Sequence, residues 1–472
     1  VKLLRDLVRG LKIERVDGDL NVQIKSVCDD SRKAPKGCLF VAIKGLTFDS
    51  HSAIGEVIER GGRAVVYDGN LTGEQRKELS KRATLIRVDN SRKALATLAA
   101  KWFDNPANSM KFIGITGTNG KTTTSEFVYQ FLKALGKKVG LISTISAKCD
   151  DKEIDTGYHV TSPEPLELHK YLRYMRDLGC EYVVLETTSH ALDQYRCYGI
   201  TFEVSGITNI TPEHLDYHIS FARYVEAKAR IFSQSKKVLL NKYDPSLARL
   251  LKLAPKGTRV VDSAGINVPK EFTDKFPGEF NKQNLALAYE LTRELVDQKL
   301  NEKMKDLASV IGRFEYALKG ENGRSVVIDF AHTPDALEKI IKVTRPVTKN
   351  RLILVFGCAG LRDKSKRYQM GKIGQKMADL VVVTSEDPRT EDINDINRAI
   401  VSGIEDAGGK KGKSYFVIID RQQAINFAIR NLAQKGDLVL ITGKGHEKSM
   451  CIGKTEYPWS EHEAVKKALS RL

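Results

Sequence analysis

The sequence predicts an α/β protein of about three domains built on parallel, doubly wound sheets. Two observations carry that expectation. At roughly 150 residues per domain, the 472 residues divide into three units, each long enough to bury its own core. The middle and last thirds also repeat one rhythm, in which short apolar runs end in polar residues and are separated by helical patterns. The runs are 112–116, 182–185, 204–209 and 238–241, then 326–329, 352–356, 380–384, 416–419 and 438–442. Strands that are apolar on both faces belong to sheets covered by helices on both sides. Ligands of such sheets bind beyond the carboxyl ends of the strands, so the polar residues after each run are the ones to read.

Turn-forming clusters at 104–109 (Asp-Asn-Pro-Ala-Asn-Ser) and 319–323 (Lys-Gly-Glu-Asn-Gly) mark soft boundaries. The expected units are 1–107, 108–316 and 317–472. The first mixes short strands (38–43, 64–67) with helical stretches. It opens on an amphipathic pattern with Leu3, Leu4, Leu7, Val8 and Leu11 on one stripe of a helix. Charges interrupt that segment every few residues, unlike a signal peptide.

Hydrophobic residues make up 41% and charged residues 29%, which is too apolar for bulk disorder. No window approaches 18 consecutive apolar residues, so no membrane span is expected. Seven cysteines at 28, 38, 149, 180, 197, 358 and 451 form no C-x-x-C, and seven is odd. A disulfide framework or zinc ribbon is not expected, and a reducing cytoplasm is. The net charge of +17 comes from 76 basic and 59 acidic residues spread along the chain. It fits a solvated Lys/Glu-rich surface or a cleft for an anionic small substrate. No stretch alternates basic and aromatic residues as a nucleic-acid surface would.

Residues 114–122, Gly-Ile-Thr-Gly-Thr-Asn-Gly-Lys-Thr, follow the first strand of the middle unit. A helical pattern follows, with Phe127, Val128, Phe131, Leu132 and Leu135 on one face and Gly136 as its stop. Backbone N–H groups of a Gly-rich turn at a helix N-terminus cradle phosphates. Lys121 can reach the β and γ phosphates, and Thr122 can bind Mg²⁺. The general pattern asks for Gly five positions before Gly120, where this chain has Ile115. The Gly-Lys-Thr end and the strand–loop–helix context are intact.

Glu186 stands at the tip of an apolar strand. It is placed to hold Mg²⁺, directly or through water, or else to cap the next helix. His214, on a loop after a strand, reads as a second metal ligand or a hydrogen-bonded structural histidine. Lys228 sits in an ordinary amphipathic pattern and taken alone reads as a solvated charge.

These residues resemble the Mur ligase family, ATP-dependent amide ligases of peptidoglycan precursor synthesis. The match runs through Gly117-Thr118-Asn119-Gly120-Lys121-Thr122, Glu186, Asn209-Ile210-Thr211-Pro212-Glu213-His214-Leu215-Asp216 and Lys228. It continues with Gly278-Glu279-Phe280-Asn281-Lys282-Gln283-Asn284 and Gly312-Arg313-Phe314-Glu315. In the last third, Asp329-Phe330-Ala331-His332-Thr333-Pro334, Gly357-Cys358-Ala359-Gly360-Leu361-Arg362-Asp363-Lys364, Asp387-Pro388-Arg389 and Gly443-Lys444-Gly445-His446-Glu447 look like the members that add a diamino acid as third peptide residue. N-terminal Asp30-Ser31-Arg32 fits as well.

The resemblance implies a P-loop-type central domain, a C-terminal Rossmann-like domain and a smaller N-terminal α/β domain. These would bind ATP, the amino acid and a UDP-sugar, respectively. It implies that Lys228 is carboxylated by CO₂ and that the carbamate, with Thr122, Glu186 and His214, holds Mg²⁺. Lys121, Lys228 and His214 would be catalytic. ATP would be held by 117–123 (Thr123 included), Asn281, Asn284, Arg313 and Asp329. UDP-N-acetylmuramoyl-L-alanyl-D-glutamate would meet Ser31, Thr161, Ser162, Ser189, Gln194 and Arg196. The diamino acid would meet Arg362, Asp387, Pro388, Arg389, Gly443 and Glu447. A cytoplasmic monomer is expected, with no nucleic acid and no integral membrane association. Two other readings are a folylpolyglutamate-synthase-like ligase and a P-loop ATPase acting on nucleic acid. The diamino acid stays open between lysine and meso-diaminopimelate. Family members that take the latter usually carry Asp-Asn-Pro-Arg, where this chain has Glu386-Asp387-Pro388-Arg389. Asp387 can draw an ammonium, or it can fill the fork of Arg389.

Overall fold

A computed structural model describes residues 1–45, 48–150, 152–154, 162–298, 300–320 and 323–470. Three α/β bodies follow one another, each around its own sheet. The first sheet has five strands in the order Ile13–Asp17, Thr84–Val88, Ala64–Tyr67, Cys38–Val41 and Ser26–Cys28, parallel except for Ile13–Asp17. The central sheet has eight. Its parallel part runs Val139–Ile142, Tyr182–Glu186, Lys111–Thr116, Phe202–Ile207, Val238–Asn241, Arg259–Val261, and the antiparallel strands Ala147–Cys149 and Lys152–Ile154 extend one edge. The last sheet runs Glu315–Lys319, Ser325–Asp329, Leu438–Thr442, Leu352–Phe356, Leu380–Val383, Tyr415–Val417, parallel except for Glu315–Lys319.

The unbroken apolar runs are explained by burial on both faces. In the central sheet Val183 and Leu185 enter one core, while Tyr182 and Val184 enter the other. In the last, Leu352, Leu354 and Phe356 face one core, and Ile353 and Val355 face its opposite. Alternate side chains of a strand point to opposite faces, so each run feeds two cores. The helix Lys121–Ala134 starts at Gly120 (φ +82°) and is followed by Gly136 (φ +73°), with Phe127, Val128, Phe131 and Leu132 buried. Phe127 meets Phe272 and Phe276 edge-on, at 5.5 and 5.0 Å between ring centroids.

Three expectations are corrected. The N-terminal helix covers only Leu4–Val8, because Lys2–Leu3 pairs as a strand with Gln23–Ile24 and Gly10 turns at φ +84°. Leu4, Leu7 and Val8 are buried as the stripe required. Cys149 and Cys180 are joined as a disulfide, where no pairing was expected. Strands that were not predicted include Ile13–Asp17, Val139–Ile142, Arg259–Val261 and Glu315–Lys319. Three of these four carry exposed or half-buried polar positions, and the other is only four residues long and contains glycine.

Candidate active site

The phosphate loop leaves the strand Lys111–Thr116 and enters the helix Lys121–Ala134. Two glycines make its path possible. A Cβ on Gly117 (φ +153°) would lie 1.9 Å from Thr208 Oγ1, and one on Gly120 would lie 2.3 Å from Asn284 Oδ1. The loop is braced by the neighbouring strand's exit. Thr118 N–H donates to Asn209 O at 2.7 Å, and Asn119 N–H donates to Asn209 Oδ1 at 3.1 Å. Lys121 Nζ folds back to Thr118 O at 2.9 Å. Burial lowers its pKa, against the pull of Glu186 and Glu213.

Glu186 is fully buried at the end of Tyr182–Glu186. It does not cap the next helix; the Thr188 hydroxyl does. Its carboxylate accepts from Thr122 Oγ1 at 3.2 Å and from Thr144 Oγ1 at 2.9 Å and N–H at 3.1 Å. Thr123 lines the same cleft. Hydroxyl and carboxylate oxygens are hard donors, which fits Mg²⁺ in type. Among the described residues no group of three or more His, Cys, Asp or Glu side chains is arranged to hold a metal ion by itself. Phosphate, water or a carbamate oxygen would have to complete a metal's shell.

Lys228 overturns its reading as a solvated charge. The helix Phe221–Ala229 turns it inward, 2% exposed, and Nζ donates to Gly117 O at 2.7 Å. Burial and then the charge of Lys121 push its pKa well below the usual lysine value. The amine thus favours the neutral form, which is the form that adds CO₂. His214 stands in left-handed backbone (φ +54°) with its pKa pulled down to about 4 by burial, against Glu213. Glu213 lies between His214 (3.9 Å) and His332 of the C-terminal body (3.5 Å). Burial would raise its pKa, but the His332 contact and the charges of His214, His332 and Lys366 outweigh that and hold it well below the carboxylate range.

A cleft of about 770 Å³ joins the two bodies at this point. Asn281 and Asn284 enter it from the helix Glu279–Arg293. Arg313 donates to Thr122 Oγ1 at 3.2 Å and stacks on Phe330 at 4.6 Å, while its buried Nε has no partner. Asp329, its pKa raised by burial, accepts the N–H groups of Phe314 and Ala331, both at 2.8 Å. Asn119 Nδ2 crosses the cleft to Asp335 Oδ2 at 2.9 Å.

The far wall of the same cleft comes from the C-terminal body. Arg362, Asp387, Arg389 and Glu447 line it. Lys444, fully buried, links Asp387 (2.7 Å) to Glu447 (2.5 Å). Asp387 Oδ1 also accepts the Cys451 N–H at 3.1 Å. One oxygen of the acid able to fill the fork of Arg389 is therefore engaged elsewhere. Arg389 itself (φ +53°) is fixed through its backbone to Cys451 O and Gly453 N, and among the described residues its guanidinium has no ion pair. Burial and the neighbouring Arg389 depress the pKa of Arg362. The charges of Asp216, Asp387 and Glu213 act on Arg362 in the opposite sense. Pro388 is buried, its carbonyl 2.0 Å from where a Cβ of Gly360 would be. A Cβ on Gly443 (φ +108°) would lie 2.8 Å from Glu386 Oε2.

The remaining residues gather at the seam between the first and central bodies. Arg196 donates to Ser162 O at 2.7 Å and Gln194 Oε1 at 2.9 Å and pairs with Glu164 at 2.7 Å. Asp29 of the first body feels its charge. Ser162 Oγ donates to Glu186 O at 3.2 Å, and Ser189 Oγ meets His218 Nε2 at 3.0 Å. Ser31, two residues after Asp29, is buried, its carbonyl accepting from Arg60 at 3.3 Å. None of these five lines the cleft, and Thr161 lies outside the described residues. Residue-by-residue reading missed Thr144, Glu213, His332, Lys366 and Glu386. The motifs quoted above contain Glu213 and His332, which was the available signal. Glu386 is buried, with Oε2 unpartnered and its pKa raised by burial.

Residues 115–292 match the Mur ligase middle domain, and 312–445 match the Mur ligase glutamate ligase domain. A Clostridium acetobutylicum protein named UDP-N-acetylmuramoyl-L-alanyl-D-glutamate–2,6-diaminopimelate ligase 1 is 37% identical over 99% of both chains. The Aquifex aeolicus protein bearing that ligase name is also 37% identical, over 95% of this chain and 94% of its own. A solved structure of a ligase so named superposes with a TM-score of 0.62 at 25% identity over 100% of this chain and 99% of its own. Mycobacterium tuberculosis folylpolyglutamate synthase shares the fold, with a TM-score of 0.60 at 18% identity over 74% of this chain and 92% of its own. No helix among the described residues is long and apolar enough to cross a membrane. The two domain matches, together with 37% identity along essentially the full length of these relatives, establish that the chain belongs to the Mur ligase family of ATP-dependent amide ligases.

Proposed function

We propose that the protein adds meso-diaminopimelate to UDP-N-acetylmuramoyl-L-alanyl-D-glutamate, with ATP converted to ADP and phosphate. The observation that carries this reading is the single cleft with the phosphate loop on one wall and Arg389 on the other. A planar fork suits bidentate contact with a carboxylate, and diaminopimelate has a distal carboxylate where lysine has none. The names of the relatives agree.

In this reading residues 1–107 bind the uridine end, 108–316 bind ATP, and 317–472 deliver the amino acid. Ser31, Thr161, Ser162, Ser189, Gln194 and Arg196 hold the UDP-linked dipeptide. The free carboxylate of its D-glutamate attacks the γ-phosphorus, ADP leaves, and an acyl phosphate forms. The amine of the diamino acid, held by Arg362, Asp387, Arg389 and the Gly443–Glu447 loop, then adds to the acyl carbon. Collapse of that tetrahedral adduct expels phosphate. Lys121 and Arg313 stabilise charge on the transferring group, and Asn281 and Asn284 meet the adenine side. Thr122, Glu186, His214 and a carboxylated Lys228 would hold Mg²⁺, which when bound neutralises phosphate charge. Closure of the cleft shields the acyl phosphate from water. The work is done in the cytoplasm by a monomer.

The test is kcat/KM for meso-diaminopimelate and for lysine, in wild type and in Arg389→Ala. Diaminopimelate should be strongly preferred. The variant should lose that activity selectively, by roughly 2 kcal/mol or more, or about thirtyfold. Equal losses for both amino acids would mean that Arg389 supports the pocket without choosing its occupant.

A further inference from the structure

The two loops that form the amino-acid pocket leave strands that are not neighbours. Leu380–Val383 leads to Glu386–Arg389 and Leu438–Thr442 leads to Gly443–Glu447, with Leu352–Phe356 between them in the sheet. Something must set the spacing of the two loops across that gap. On the pocket side, Lys444 grips Asp387. On the other side lies a fully buried guanidinium that the reaction does not use.

Arg421 opens the helix Arg421–Asn426, after the strand Tyr415–Val417. Its Nη1 donates to Ser385 O at 3.1 Å and its Nη2 to Thr442 O at 2.8 Å. Those carbonyls belong to the residues immediately before Glu386 and Gly443. Nε donates to Glu461 Oε1 at 3.0 Å, and Nη2 also pairs with that carboxylate. Glu461 is buried as completely as Arg421, at 0% side-chain exposure for both, and its other oxygen accepts from Trp459 Nε1 at 3.1 Å. The rigid fork thus spans the exits of both strands, and Glu461 fixes its orientation from behind.

A buried ion pair is weak as a source of stability, because desolvation cancels most of the attraction and an apolar pair of similar volume often does as well. Its distinctive contribution is directional. A fork with fixed donor angles holds two carbonyls at one separation, which apolar packing does not.

We propose that Arg421, oriented by Glu461, is a positioning residue for the amino-acid pocket. It sets the separation of the Glu386–Arg389 and Gly443–Glu447 segments and thereby the affinity for the incoming amino acid, which it does not touch. This rests on the assignment of those loops to the amino acid.

The experiment measures KM and kcat for the diamino acid, ATP and the UDP-linked dipeptide in wild type, Arg421→Lys and the double variant Arg421→Met/Glu461→Leu, with Tm for each. The double variant removes both charges at once, so neither is left buried alone. Arg421→Lys keeps the charge and loses the fork. Both should raise KM for the diamino acid on the order of tenfold or more, with KM for ATP and the dipeptide within about twofold. The double variant should melt near wild type. A diamino-acid KM within twofold of wild type in either folded variant overturns the proposal. So does an equal rise for all three substrates, or a loss confined to kcat. If either variant fails to fold, the other decides. Wild type that forms no amide with any diamino acid would instead sink the functional reading itself.

Discussion

Lys121→Ala should lower ligase turnover by about 10²–10³-fold or more, the loss found when one preorganised donor to developing charge is removed. The fold should survive. Lys121 is the first residue of its helix, its ammonium donates to the Thr118 carbonyl, and the loop stays braced by Asn209. The check is steady-state release of ADP with all substrates present, alongside Tm. Retention of more than about a tenth of the wild-type rate would remove Lys121 from the reaction.

Lys228→Ala should be nearly inactive for a different reason, and short carboxylic acids should restore part of the rate. Lys228 does not line the cleft; it lies behind the loop and donates to Gly117 O. Truncation leaves a hole where an added carboxylate can place its oxygens, standing in for a carbamate. Rescue should saturate with acetate or formate and should fail with a cation of similar size. If Lys228→Ala keeps wild-type activity in CO₂-depleted buffer, the carbamate has no part in the reaction. If it is inactive and no acid rescues it, Lys228 serves only to brace Gly117.

Much of the site was legible because its chemistry is contiguous in the chain. The phosphate loop is one run of residues between a strand and a helix, and Glu186 is a strand tip, so local pattern was enough to mark both. Lys228 was not legible in itself. Its helix has an ordinary amphipathic pattern, and only the packing of that helix behind Gly117 turns a surface charge into a buried amine. Glu213 and His332 come from segments 119 residues apart, and their meeting depends on how two bodies dock. The strands that went unseen follow the same logic. Glu315–Lys319 is an edge strand with no fully buried position, so it lacks the apolar run that revealed its neighbours.

The docking itself has a thermodynamic consequence. Asn119 to Asp335 and Glu213 to His332 tie the central and C-terminal bodies through polar and charged groups. The apolar clusters, by contrast, are built almost wholly within one body or the other, with Phe314 at the boundary joining the C-terminal core. Parting the two bodies therefore wets little hydrocarbon, and the open–closed equilibrium should carry almost no heat-capacity change. It should respond instead to ionic strength, since screening at a Debye length of about 10 Å in 0.1 M salt loosens such ties. The radius of gyration of the nucleotide-free protein should grow as salt is raised, at a temperature where each sheet stays folded. Compaction with salt would place the closing force in apolar contact after all.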